Sequence, residues 1–249
     1  MADESVLTVA LVYPEVLGTY GDRGNATALA HRAGGRGLPI RVLEVGLDDP
    51  LPTAADIYLV GGGEDAATLL AWRRLHDQQA LADAVAGGAV CFGVCAGYQL
   101  LARSFTGPDG RRREGLGLLD VTCARRQRRA VGEVLAESGD PDIGFLTGFE
   151  NHRGDARLGP SARPLGRVVT GVGNGDGRTE GAVGGRVVGT YLHGPALVRN
   201  DGLADRLLEQ VTGPLAPYDD ELVHRLRAER RAAALATSRR TRWRRLGRR

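Results

Sequence analysis

The chain has 249 residues, 42% of them hydrophobic and 25% charged, enough to bury one full core as a large α/β domain or as a domain with an appendage. Two acids and a short apolar run open the sequence (MADESVLTVALVYP) with no basic segment ahead of them, which argues against a secretory signal or a membrane span and predicts a cytoplasmic protein. All 33 basic residues are arginine, read as compositional bias, yet eleven of them stand in residues 225–249 against one acid, so an acidic body precedes a basic tail in a chain of net charge +3.

Residues 6–13 (VLTVALVY) read as a strand, and the glycine-punctuated stretch after them leads into a helix from about Asn25. The order then repeats. IRVLEVG (40–46) is a strand, DIYLVGGGED (56–65) a strand ending in a glycine loop, and residues 67–88 a single helix stopped by Gly-Gly. AVCFGVC (89–95) is the next strand and AGYQLLARSF (96–105) the next helix. Strands alternating with helices at this spacing predict an α/β, flavodoxin-like three-layer sandwich around a mostly parallel sheet. After Gly107 the texture changes to shorter strands in 115–124, 129–138 and 143–152. Residues 163–194 read as antiparallel ribbon with turns at 173–177 and 184–185, an antiparallel extension of the second half. A helix over 201–212 closes the domain, which is expected to span 1–217. GPLAPY (213–218) leads into a basic tail, 218–249, expected to be helical or partly disordered and suited to weak contact with anionic lipid headgroups.

Chemistry concentrates at residues 93–97. An apolar strand ending in Gly-x-Cys-x-Gly forces a sharp turn that lifts the cysteine side chain above the sheet while the next helix starts beneath it. Helix-start N–H groups favour a Cys95 thiolate, and the Ala96 N–H is aimed to donate to a developing oxyanion. A second donor is expected from Gly61 to Gly63, with Gly62 and Gly63 at the substrate, where the absence of side chains allows close backbone approach. Cys91 and Cys123 read as buried hydrophobes; the three thiols cannot pair completely, their spacing is not that of a zinc site, and no metal is expected. A cysteine acting on a carboxamide needs a base that returns a proton to the leaving amine. His193 ends the run VVGTYLH at the same sheet edge and is the expected base, with His152 in GFENH the competing candidate lining the pocket or its rim.

The elbow GVCAGYQLL, the upstream LVGGGED and the downstream YLHGP together resemble the class I, triad-type glutamine amidotransferases, in the branch of the cobyric acid synthase glutaminase domains. YGDRGN (20–25), RRAVGEV (128–134), GFENH (148–152) and the lack of an attached synthetase domain are similar to the GatD-type glutaminase subunits of lipid II isoglutaminyl synthases. The resemblance covers about residues 5–212. It implies that Cys95 is the nucleophile, His193 the base, and Arg129, with Arg128 one step away, the holder of the glutamine α-carboxylate, for which a guanidinium fork is suited. Many members carry a glutamate two residues after the histidine; here that position is Pro195, so a dyad or an acid from elsewhere, such as Glu150, must serve. LVGGGEDAA lacks the GK[ST] ending of a phosphate-binding loop, so no cofactor is expected in this subunit, and ATP and Mg²⁺ fall to a partner. By the resemblance that partner is a MurT-like Mur ligase aminating D-glutamate of lipid II. The YGDRGN loop opens off the end of the first strand near the expected pocket, and it either docks the partner or lines the ammonia route, or its DRGN is simply a turn with a helix N-cap. A glutaminase serving a corrin carboxylate, or a non-catalytic thiol sensor, remains open.

Overall fold

β1 (Leu7–Val12, LTVALV) is apolar at every position but Thr8, and five of its six residues are buried, which is the pattern of a strand covered on both faces. The computed structural model describes residues 6–246, with side chains as far as residue 236. Residues 1–5, residues 247–249 and the tail side chains from Arg239 onward, on which part of the reading above rests, lie outside the described residues. After β1 come α1 (Arg23–Gly34), β2 (Ile40–Val45), β3 (Ile57–Val60), α2 (Asp65–Asp77), α3 (Ala80–Ala86), β4 (Val90–Val94) and α4 (Ala96–Leu101). The second half contributes β5 (Ala102–Thr106), β6 (Arg112–Glu114), β7 (Leu119–Ser138), β8 (Phe145–Leu158), β9 (Gly166–Thr170), β10 (Thr179–Glu180), β11 (Ala182–Gly184) and β12 (Val187–Thr190), then α5 (Ala196–Arg199), α6 (Asp201–Thr212) and α7 (Glu221–Leu246).

The central sheet has the order β11-β12-β4-β3-β1-β2, parallel throughout except for β11. Stepping from β1 outward to β2 and then back past β1 to β3 creates a topological switch point, and the crevice outside the carboxyl ends of such strands is where doubly wound sheets take their ligands. Val60, Val94 and Thr190 end three adjacent strands at that edge, in register as Val60↔Gly93 and Thr190↔Val94. The chain segments that follow them hold Gly61 to Gly63, Cys95 and His193.

Most antiparallel strands of the second half form a sheet of their own, β10-β9-β7-β5-β6 with β8 on β7, while β11 alone extends the central sheet. β7 is one ribbon of 20 residues where the sequence reads as two strands; its pairing with β8 shifts register between Arg125 and Ala130, at the arginine run. Two helices also differ from expectation. The helix over 67–88 breaks at Gln78, whose backbone is extended and whose Oε1 accepts the Leu51 N–H at 3.0 Å. The helix over 96–105 stops at Leu101 because residues from Ala102 onward pair with β6 and β7, with Ser104 and Phe105 buried; sheet pairing overrides a helical pattern.

The closing helix α6 has the expected bounds, ending on Gly213 at φ +78°. α7 packs its first turns on the body: Arg227 bonds Asp201 and the Ile143 and Phe145 carbonyls, the Arg231 guanidinium lies 3.7 Å from the Phe145 ring centroid, and Ala234 is buried. Among the described residues no helix is long and apolar enough to cross a membrane.

Candidate active site

Cys95 stands between β4 and α4 with φ +52° and ψ −98°, a conformation costing roughly 1–3 kcal/mol for a side-chain-bearing residue and held by its surroundings. Its N–H donates to the Thr190 carbonyl at 2.8 Å, and two residues on the Gly97 N–H donates to the Gly61 carbonyl at 3.0 Å. A Cβ on Gly97 would lie 2.0 Å from the Val60 oxygen, so the glycine is required for α4 to start this close beneath β3. Elbow and glycine loop are thereby pinned together by backbone alone.

Cys95 is 8% exposed as a residue and lines a cavity with Ala96, Gly63, Tyr20, Glu64, Gln99 and Arg129. Burial pushes the thiol pKa up to about 12, and the charge of Asp22 adds to the rise; the Ala96 N–H bonding the sulfur and the Arg129 guanidinium work the other way. The expectation that the helix start favours a thiolate is therefore not met in the resting chain, because α4 has six residues and its terminal field is outweighed by desolvation. Cys91 and Cys123 are buried free thiols, as expected.

His193 sits at the same sheet edge, three residues beyond the end of β12 and held by a two-way backbone bridge to Phe149, with N–H to O distances of 2.9 and 3.1 Å. It is 2% exposed, its ring centroid lies 4.4 Å from that of Tyr20, and neither ring nitrogen has a partner in the described structure. Burial, reinforced by His152, lowers its pKa to about 4, so the imidazole is neutral at neutral pH and able to accept a proton. A Cβ on Gly62 would come within 3.0 Å of His193 Cε1, which places the glycine loop against the imidazole.

His152 is on β8 and lines the cavity, stacked on Tyr191 at 3.8 Å between centroids, with Nδ1 accepting the Gly154 N–H. Glu150 accepts the N–H groups of Val172 and Gly173 and lies 3.6 Å from His152 Nε2, so the acid weighed as an orienter faces the other histidine. Arg129 donates to Asn151 Oδ1 at 2.7 Å, Asn151 Nδ2 to the Tyr20 hydroxyl at 3.3 Å, and that hydroxyl to Glu64 Oε1 at 3.0 Å, a hydrogen-bonded chain along the cavity. Arg125 also lines it but is paired with Asp65, and Arg128 is not among the lining residues. The Arg129 guanidinium, bonded to a neutral amide, keeps its charge available for a carboxylate.

Sequence reasoning missed what DRGN does inside the fold. The buried Asp22 carboxylate accepts the Gly62 N–H at 2.7 Å, Gly24 leaves room for Pro195, whose Cγ a Cβ there would meet at 2.2 Å, and Asn25 Oδ1 accepts the Leu197 N–H at 2.9 Å. The segment before and within the first turn of α1 thus grips both the glycine loop and the chain just after His193. The four-letter pattern was the signal; its targets, 40 and 172 residues away, were not in it.

Residues 8–201 match the CobB/CobQ-like glutamine amidotransferase domain. The GatD subunit of the glutamine-hydrolysing lipid II isoglutaminyl synthase of Staphylococcus aureus (strain N315) is 36% identical over 207 residues, covering 82% of this chain and 84% of that protein. A cobyric acid synthase of Methylobacterium nodulans is 38% identical over 166 residues, 64% of this chain and 32% of the synthase. Among solved structures, PurLQS from Thermotoga maritima aligns with a TM-score of 0.56 at 18% identity, over 83% of this chain and 98% of that chain, a likeness of fold.

Proposed function

Because the chain belongs to the CobB/CobQ-like glutamine amidotransferases, we propose that it is the glutaminase subunit of a lipid II-amidating complex, releasing ammonia from glutamine for a separate ATP-dependent ligase. The observation that carries this reading is one cavity in which the thiol of a strained strand-to-helix elbow meets a guanidinium free to bind a carboxylate.

Glutamine enters with its α-carboxylate on Arg129 and its side-chain amide over Cys95. As Sγ attacks the amide carbon, the thiol proton passes to the neutral His193 imidazole, which removes the need for a free thiolate in the resting site. The carbonyl oxygen, now an oxyanion, takes the Ala96 N–H and a donor from the Gly62-Gly63 loop. His193 returns the proton to the departing nitrogen, the C–N bond breaks, and ammonia and a γ-glutamyl thioester result. Water, deprotonated by His193, attacks the thioester and releases glutamate and the thiol.

Protonated ammonia is no nucleophile, so the product must reach its acceptor before it equilibrates with water. That favours a tightly seated partner of the Mur ligase type, MurT-like, holding ATP and Mg²⁺ and presenting the D-glutamate carboxyl of lipid II for conversion to D-isoglutamine. The complex would then work in the cytoplasm at the membrane face, with the basic tail near anionic headgroups. The chain spans most of the GatD relative and a third of the cobyric acid synthase. The test is to copurify the chain with a Mur-ligase-type protein and follow glutamine and ATP. Consumption of both with a D-glutamate muropeptide supports the reading; turnover only with a corrin carboxylate would move it to the second acceptor, and no glutamine hydrolysis would end it.

A further inference from the structure

One buried acid beside the reacting groups has no part in the mechanism above. Asp22 is 1% exposed and forms no ion pair among the described residues; its Oδ2 accepts the Gly62 N–H at 2.7 Å, and its Oδ1 takes only a long bond, 3.4 Å, from Asn25 Nδ2. Gly62 separates it from the imidazole, since a Cβ there would lie 3.4 Å from Asp22 Oδ2 and 3.0 Å from His193 Cε1. A carboxylate oxygen is itself an oxyanion, and a backbone donor that binds one at 2.7 Å has nothing left for another.

We propose that Asp22 is a positioning residue that keeps the resting site closed: its carboxylate occupies the Gly62 N–H as an internal stand-in for the reaction's oxyanion, and turnover begins when the loop carrying Asp22 lets go. This rests on the reading of Cys95 as the nucleophile of a glutaminase.

Three further observations agree with it. The carboxylate opposes ionisation of the neighbouring Cys95 thiol, second only to burial, so one group both blocks a donor and quiets the nucleophile. The arrangement is costly to the folded chain, burial raising the Asp22 pKa to about 6, so the contact is poised for release. The loop itself is reachable from outside, with Glu15, Thr19 and Gly21 exposed, and it touches the glycine loop by backbone: the Thr19 N–H donates to the Gly62 carbonyl at 3.3 Å, and Leu17 O would meet a Cβ on Gly61 at 1.9 Å. A protein seated on residues 15–21 would therefore shift the loop that carries Asp22 against the glycine loop, and so act on the bond between Asp22 and Gly62. The other charged groups that act on the thiol are Glu64 and Arg129, from the loop before α2 and from β7, and both remain in place in the test below.

The test uses the full chain, alone and with its ligase, as wild type, Asp22→Asn and Asp22→Ala. Alkylation of Cys95 by iodoacetamide is followed by mass spectrometry at pH 8, with Cys91 and Cys123 as internal controls, and thermal melting verifies folding. Removing the charge is expected to speed Cys95 alkylation about threefold to tenfold in both variants, in proportion to the lowered thiol pKa. Only the alanine variant empties the Gly62 N–H, because an asparagine oxygen still accepts from it. Glutamine turnover by the chain alone should therefore rise most in Asp22→Ala, in kcat and not in KM, and the stimulation by the ligase should shrink. Alkylation at the wild-type rate in both folded variants overturns the proposal, as does a fall of kcat in Asp22→Ala, which would make the acid a supporter of His193. A wild-type complex inert to glutamine would sink the glutaminase reading instead, and the alkylation ratio would still decide on Asp22.

Discussion

In the proposed reaction the two sheets of the molecule divide the chemistry between them. β3, β4 and β12 are short, buried at every position, and end in backbone that touches backbone, whereas β7 and β8 are long ribbons that alternate buried and exposed residues and carry the arginines. Bond making is assigned to the first and charge recognition to the second. The difference follows from what each task tolerates. A nucleophile loses its function when displaced by about an ångström, so it is mounted where both faces of the sheet are covered. A guanidinium reaching for a carboxylate in water can adjust, so it sits on a solvated ribbon near a register shift.

That contrast breaks first at the elbow. Cys95→Ser should lower glutamine hydrolysis by about a thousandfold or more with the melting temperature nearly unchanged, because the side chain is small and the effect is chemical; turnover within tenfold of wild type would remove the nucleophile from this residue. Gly97→Ala tests the backbone side: a methyl group 2.0 Å from the Val60 oxygen forces α4 off β3, with an expected loss of about 3 kcal/mol or more in a denaturant titration, and activity falling with it.

Asp22 sharpens the comparison through pH. Its folded pKa, about 6, lies above the unfolded value near 3.8, so the folded chain binds the proton more tightly; the contribution is present below about pH 4 and is lost as pH rises to about 6. Asp22→Asn should therefore gain on wild type by about 1–3 kcal/mol between pH 4 and 7, and a stability difference that stays flat over that range would show the carboxylate to be ordinary. The smallest effect belongs to the ribbon. Arg129→Ala should raise KM for glutamine by about 10- to 100-fold while changing stability by less than about 0.5 kcal/mol, since an exposed arginine bonded to an amide supports little of the fold.

His193 gives a further check at the acid side. Its pKa is lowered from 6.5 to about 4, so the base is lost only as pH falls toward 4, and the pH profile of kcat/KM should show no inflection near 6.5 from this residue. A clear break at 6.5 would point to an imidazole better hydrated than the one seen.

Local sequence determined a good deal. The apolar run ending in Gly-x-Cys-x-Gly reads as an elbow because only small neighbours permit that turn, and the structure has the turn with Cys95 in a positive-φ conformation. The alternation of strands and helices fixes a mostly parallel sheet, and α6 has the bounds its pattern predicts, because periodicity and a glycine stop are properties of the segment itself. What the tertiary structure decided is whatever depends on distant partners. Residues 102–105 are helical by pattern and extended in fact because β6 and β7 claim their backbone groups. The thiol is neutral because it is buried beside an acid that folding brings from 73 positions away. Asp22 reads as a turn residue until Gly62 is placed against it: hydrogen bonds within a segment can be read along the chain, and those between segments exist only once the chain has closed on itself.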